Sequence, residues 1–149
     1  MPARVKVVVT GRKDIDRRLH AFPLKLQKKV IRQAMRAGMK LMAEHVRQLA
    51  PVLTGTLRDN VVVRAGFKSR TRRGAITMDA RIDANDETKR TSAKTGKTVF
   101  YPAIVEYGVK GRGIRANDFM LRAFRRFGDA ARRLTIRLIR QGIDRAVKG

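Results

Sequence analysis

Residues 49–63 read LAPVLTGTLRDNVVV. A long amphipathic stretch rich in Lys and Arg precedes them, and an apolar run of valines begins at their end. Three readings compete for PVLTG: a glycine loop that grips phosphate, a catalytic turn, or a hinge between helix and sheet. The order of the flanking patterns decides. A Walker loop needs G-x-x-x-x-G-K-[ST] between a strand and a helix. Here a single glycine, Gly55, follows a helical pattern and precedes a strand-like one, the reverse context. The stretch therefore reads as a hinge. Pro51 disfavours helical geometry at the residue before it. Gly55 tolerates a backbone conformation that other residues resist, and Leu57 brings the chain back to the core. A second near-match, Lys94-Thr95-Gly96-Lys97-Thr98, lacks the first glycine and has no strand leading in.

Upstream of the hinge, Leu24 to Leu49 carries the strongest helical pattern in the chain. Ile31, Met35, Gly38, Met42, His45 and Leu49 recur at spacings of three and four, and Val30, Ala34, Ala37, Leu41 and Val46 widen the stripe to a core-facing face. Lys25, Lys29, Arg32, Arg36, Lys40 and Arg47 lie opposite. Pro23 suits the first turn, where its missing N–H is no loss. Farther back, residues 4–10 alternate Val5, Val7 and Val9 as a strand does. Residues 13–22 place Ile15, Leu19 and Phe22 on one side of a short helix.

Downstream, NVVVRAGF and AITMDARID are strand-like, the second alternating Ile76, Met78, Ala80 and Ile82. The link between them bears Lys68, Arg70, Arg72 and Arg73 and no acid, as an outward basic hairpin tip would. Residues 84–98 are polar and unpatterned and read as a mobile loop. Residues 99–113 read as a short strand or turn. A final helix is expected from about Asn117, with Met120, Phe124, Phe127, Ala131, Leu134 and Leu138 as its apolar stripe. Arg122, Arg126, Arg133, Arg137 and Arg140 lie mostly away from that stripe. The expected fold is α+β: a small antiparallel sheet packed against a long central helix and a C-terminal helix, with an extended basic hairpin or loop. It is not the βαβ alternation of nucleotide-binding folds.

A chain of 149 residues, 43% hydrophobic, fits a single domain over 1–149 with one core. It has no cysteine, so disulfides and thiolate metal sites are excluded. No run reaches the ~18 apolar residues a membrane span requires, and the N-terminal apolar patch, interrupted by Lys6, is too short for a secretory segment. Charge is the dominant feature: 36 Lys plus Arg against 12 Asp plus Glu, a formal +24. Such a field attracts polyanions, nucleic acid above all.

Catalytic constellations are missing from the sequence. His45 sits on the apolar stripe with no second histidine four residues on, which reads as a structural side chain, and His20 reads as solvated. No G-x-S-x-G surrounds any serine. Asp79, Asp83, Asp86 and Glu87 can be read as divalent-ion ligands, but Arg81, Lys89 and Arg90 beside them favour charge balancing. No cofactor is expected. Basic faces on two helices and the 68–73 tip remain, either as solvated surface or as phosphate contacts. Aromatic residues are 5% with no Trp, and Tyr101 and Tyr107 are not interleaved with basic residues. Base stacking is therefore not expected, and no helix-turn-helix or zinc-finger spacing appears.

Three segments recur in a telling order. The long helix ends in Ala50, Pro51, Thr54, Gly55, Leu57 and Arg58; then come Tyr101, Val105, Glu106, Tyr107 and Gly108; then Phe119, Met120, Ala123 and Phe124 open the last helix. This succession resembles the tail-completion family of minor tail and neck proteins of long-tailed double-stranded DNA bacteriophages and prophages. Those proteins show A-P-x-x-T-G-x-L-R, Y-A-x-x-V-E-[FY]-G-T and P-F-M-R-P-A-F. This chain departs from them with Pro102 for Ala, Val109 for Thr, and Asp118 and Leu121 where prolines are common.

The resemblance implies a non-enzymatic virion protein, in the host cytoplasm during assembly and in the tail or neck afterwards. It would form a homo-oligomeric ring, a hexamer, at the head-proximal end of the tail. Its neighbours would be head–tail connector and tail tube or terminator proteins. Double-stranded DNA would pass through the lumen, and no membrane is involved. The alternative is a basic, sequence-nonspecific nucleic-acid-binding protein without a structural role. Within this reading Glu106 either pairs with a basic residue such as Arg58, within or between subunits, or is simply solvated beside a turn.

Overall fold

The structure, a computed structural model, describes residues 5–6, 13–52, 55–66, 76–91 and 93–148. Strand β1 (Val5–Lys6) and helix α1 (Lys13–His20) come first. Ile15 and Leu19 of α1 are buried and His20 is exposed, as their spacing predicts. The other residues of the expected first strand, 4 and 7–10, lie outside the described residues.

Helix α2 (Leu24–Leu49) starts immediately after Pro23 and stops before Ala50, whose extended ψ of 136° is what a following proline imposes. Its expected stripe is buried at Ala34, Met35, Gly38, Met42 and Val46. Met39 and Ala43 are buried as well, because α2 packs on two sides and needs a face wider than one stripe. Beyond the hinge, one helical turn, α3 (Thr56–Asp59), follows Gly55 at φ 74°, and Leu57 enters the core at 4% exposure.

Strands β2 (Val61–Ala65) and β3 (Met78–Ile82) pair antiparallel, Val61 opposite Ile82 and Ala65 opposite Met78. Strand β1 pairs antiparallel with the other edge of β3, giving the order β1-β3-β2. Met78, Ala80 and Ile82 point inward as their alternation predicts. Asp79 between them and Thr77 just before the strand are buried too, so this central strand is covered on both faces. The basic tip expected at 68–73 lies outside the described residues.

Strand β4 (Lys89–Thr91), inside the expected loop over 84–98, pairs antiparallel with β5 (Thr98–Phe100), which begins at the loop's last residue, to form a second small sheet. Side-chain bonds to the backbone, invisible to hydrophobic pattern, shape its entrance. Thr88, fully buried, donates its hydroxyl to the Asp83 carbonyl at 2.7 Å and accepts from the Asn85 N–H at 2.9 Å. Asn85 Oδ1 accepts from the Thr88 N–H at 3.0 Å, closing an Asx-type turn. Of the short strand or turn expected at 99–113, Val99 and Phe100 do lie in β5, but the chain does not stay extended after them. Residues 101–107 form helix α4 (Tyr101–Tyr107), followed by a 3-10 turn at Lys110–Arg112.

The last helix, α5 (Phe119–Lys148), begins two residues later than expected. It runs antiparallel to α2. His45 stacks on Phe127 with ring centroids 3.4 Å apart, and Val30 lies against Gly142 at the other end. Between these, a Cβ on Gly38 would collide with Thr135 Oγ1 and come within 3.0 Å of the Ala131 carbonyl oxygen. The two backbones approach closely there because Gly38 has no side chain. The main core lies between α2, α5 and the three-stranded sheet, with Met39, Met42, Val46, Val61, Ala80 and Phe119 at its centre. A second cluster joins Ile15 and Leu19 of α1 to Ala34 of α2 and to Ile139 and Ile143 of α5. The expected α+β class holds, with two small sheets among the described residues where one was expected.

Candidate functional site

The three sequence segments of the resemblance meet in space. Ala50 and Leu57 from the first and Phe119, Met120 and Ala123 from the third belong to one buried cluster. Tyr101 and Val105 from the second pack against it, half-buried. Pro51 is half-buried, Gly55 takes its left-handed conformation, and Thr54 lies outside the described residues. Among the described residues three members of the segments face outward: Arg58 and Tyr107 are exposed, the latter at 61%, and Phe124 is 39% exposed. The set mainly joins the hinge, α4 and the start of α5.

Glu106 is the centre of that joint. It is 3% exposed, and its carboxylate accepts from the Met120 N–H at 3.0 Å and the Leu121 N–H at 3.1 Å. These are among the first N–H groups of α5, which have no partner within their own helix. A carboxylate there also faces the positive end of the helix dipole. Backbone bonds from the Asn117 N–H to the Val105 carbonyl (2.8 Å) and from the Asp118 N–H to the Glu106 carbonyl (3.2 Å) reinforce the joint. Gly108, at φ 69°, lets the chain fold back so closely that a Cβ would come 2.5 Å from the Ile114 carbonyl oxygen.

Within the chain, then, Glu106 is neither solvated nor joined to Arg58. Arg58 Nε lies 3.0 Å from Asp59 on the exposed face of α3. The free N–H groups of a helix terminus compete for a carboxylate as well as an arginine does, and nothing in their own sequence marks them. Arg47, placed by the sequence on the face opposite the core stripe, does more than lie at the surface. Half-buried, it donates to the Val61 carbonyl at 2.7 Å and to Glu44 at 3.2 Å, tying α2 to β2.

His45 is half-buried, as expected of a structural histidine; its Nδ1 lies 3.0 Å from Gln48 Oε1 and its ring stacks on Phe127. Among the described residues no three His, Cys, Asp or Glu side chains gather as metal ligands. Asp83 instead pairs with Arg64 and, at 3.7 Å, with Arg81, and Asp79 is buried. No helix among the described residues is long and apolar enough to cross a membrane.

Among the described residues two exposed cationic faces remain. On α5, Arg122, Arg126, Arg133, Arg137 and Arg140 are all exposed, as expected. Two of them are engaged locally: Arg122 donates to Asn117 Oδ1 at 2.7 Å, and the Arg126 guanidinium stands 5.4 Å from the Phe127 ring centroid. Asp129 and Asp144 interrupt this face, Asp144 pairing with Arg18 at 2.7 Å. Lys68, Arg70, Arg72 and Arg73 lie outside the described residues.

The other face is the N-terminal half of α2. Lys25, Lys28, Lys29, Arg32, Gln33 and Arg36 line a groove of about 390 Å³. The first acid in α2 is Glu44. Among the described residues none of these five cations forms an ion pair. Lys25 with Lys29, Lys28 with Arg32, and Arg32 with Arg36 are like-charge neighbours at i,i+4, each mildly destabilising to an isolated helix. Lys28 and Gln33 were not among the residues the sequence singled out. Their three- and four-residue spacing to Lys25, Lys29 and Arg36 is the signal that finds them.

Fold and surface together define a small α+β protein whose core joins three distant segments and whose helices present cations outward. The chain belongs to the family described as "Bacteriophage HK97-gp10, putative tail-component", whose model matches residues 13–108, more than half its length. That match contains the hinge and the α4 segment, including Glu106 and Gly108, and ends before α5. No curated protein and no solved structure gives a significant match.

Proposed function

We propose that this tail component is a structural protein of a tailed phage or prophage virion that forms a ring at the head-proximal end of the tail, through which DNA passes. Six copies would close the ring. Head–tail connector and tail tube or terminator proteins would be its neighbours. Membership of a tail-component family carries the reading. The acid-free cationic groove of α2 supports the presence of DNA, because those charges have no counter-charge within the described chain. Self-repulsion of a +24 subunit opposes assembly unless the charge faces a polyanion or is paired across subunits.

Sedimentation of the purified chain without nucleic acid, together with imaging of virions labelled on this subunit, tests the proposal. A ring-sized oligomer and label at the junction of head and tail are the expected results. A monomer that shifts DNA but is absent from purified virions would overturn it in favour of a plain nucleic-acid-binding protein.

A further inference from the structure

We infer that the α2 groove is a seat for the phosphodiester backbone of nucleic acid, and that it outweighs the arginine face of α5 in this role. The inference rests on the reading that DNA passes this subunit, and it assigns the contact to particular side chains. The groove lining is five cations and a glutamine, without an acid, an aromatic ring or a large apolar side chain. The aromatic and large apolar anchors at the centre of protein interfaces are absent, and Lys, three of the six lining residues, is depleted there, although Arg is not. Phosphate requires only positive charge and N–H donors, which are what the groove offers.

Position adds to composition. The N-terminus of α2 has no side-chain cap and no acid in its first turn, so its partial positive charge adds to that of Lys25. From Lys25 to Arg36 the helix rises roughly 16 Å at 1.5 Å per residue. One strand of duplex advances about 3.4 Å per phosphate along its axis, so the groove matches at most about five phosphates. The α5 face lacks this uniformity, because Asp129 and Asp144 interrupt it and Asn117 and Phe127 engage two of its arginines.

Binding of the full chain to a mixed-sequence DNA duplex, followed by fluorescence anisotropy across a range of salt, tests the assignment. Two variants with equal loss of charge are compared: Lys25→Gln/Lys29→Gln/Arg32→Gln in the groove, and Arg133→Gln/Arg137→Gln/Arg140→Gln on α5. Each phosphate contact contributes about 0.9 to the slope of log K against log salt. The groove variant should therefore lose about 2.7 of slope and, near 0.1 M salt, on the order of 100-fold or more in affinity. The α5 variant should lose less than about threefold. The single variant Lys29→Gln, expected to lose roughly eightfold, keeps the test open if the triple variant misfolds.

Equal losses for the two triple variants, or an unchanged groove variant, would overturn the assignment. So would poly-glutamate binding as tightly as DNA and losing the same affinity with the groove substitutions, since that would assign the groove to an acidic protein. A wild-type chain that occupies the virion ring yet binds no duplex would overturn the groove and leave the ring standing. A chain absent from virions whose groove variant still loses its salt slope would do the reverse.

Discussion

Replacing Glu106 by alanine removes the acceptor for two backbone N–H groups in a single change. Hydrogen bonds to a charged partner contribute about 1.5–3 kcal/mol each, so the pair has a gross value of roughly 3–6 kcal/mol. Met120 is 1% exposed, so water cannot easily replace the carboxylate there, whereas Leu121 at 40% exposure lets water recover part of the second bond. We expect Glu106→Ala to lose about 3 kcal/mol of stability. For a chain of this length that corresponds to a Tm lower by roughly 6–12 °C. Glu106→Gln keeps one carbonyl acceptor but turns an amide NH₂ toward the other N–H, so its loss should be smaller, about 1.5 kcal/mol. Urea unfolding followed by far-UV circular dichroism measures both. A Glu106→Ala protein within about 0.5 kcal/mol of wild type, the range of ordinary surface substitutions, would refute the capping role.

Two glycines give further predictions. In Gly38→Ala the added methyl meets Thr135 Oγ1 and the Ala131 carbonyl; overpacking of about 1–3 kcal/mol should outweigh the ~1 kcal/mol gained in helix propensity. Adding Thr135→Ala should recover part of the loss, and thermal melts showing the two changes simply additive would contradict the close crossing. In Gly108→Ala the obstacles are backbone atoms, the Ile114 carbonyl at 2.5 Å and the Ala116 N–H at 2.7 Å, and the φ is positive. We expect a loss of about 3 kcal/mol with new proteolytic cleavage between residues 109 and 118; wild-type protease resistance would contradict it.

The elements that were legible in the sequence are those whose signals are local. The bounds of α2 follow from Pro23 and Pro51, and its core face follows from spacing, although Met39 and Ala43 needed the second packing surface to explain them. Helix α4 was not legible. Its seven residues give too few turns for a helical period, and Ile104 and Val105 suit an extended chain as well. The β4–β5 hairpin was hidden for another reason. Its strands KRT and TVF lack apolar alternation, and its entrance depends on Thr88 and Asn85 bonding to backbone.

The sequence by itself determined the hinge at 50–57, the long amphipathic helix, the excess of cations and the order of segments on which the family resemblance rests. Each depends on residue type at a fixed spacing, which the chain carries whether folded or not. Only the tertiary structure decided the partner of Glu106. Its ligands are N–H groups of Met120 and Leu121, present in every residue but proline and free only at a helix start that another part of the chain must reach. The groove on α2 is intermediate. Its charges are plain in the sequence, but that they lack ion-pair partners among the described residues emerges only when the acids are placed elsewhere in the fold.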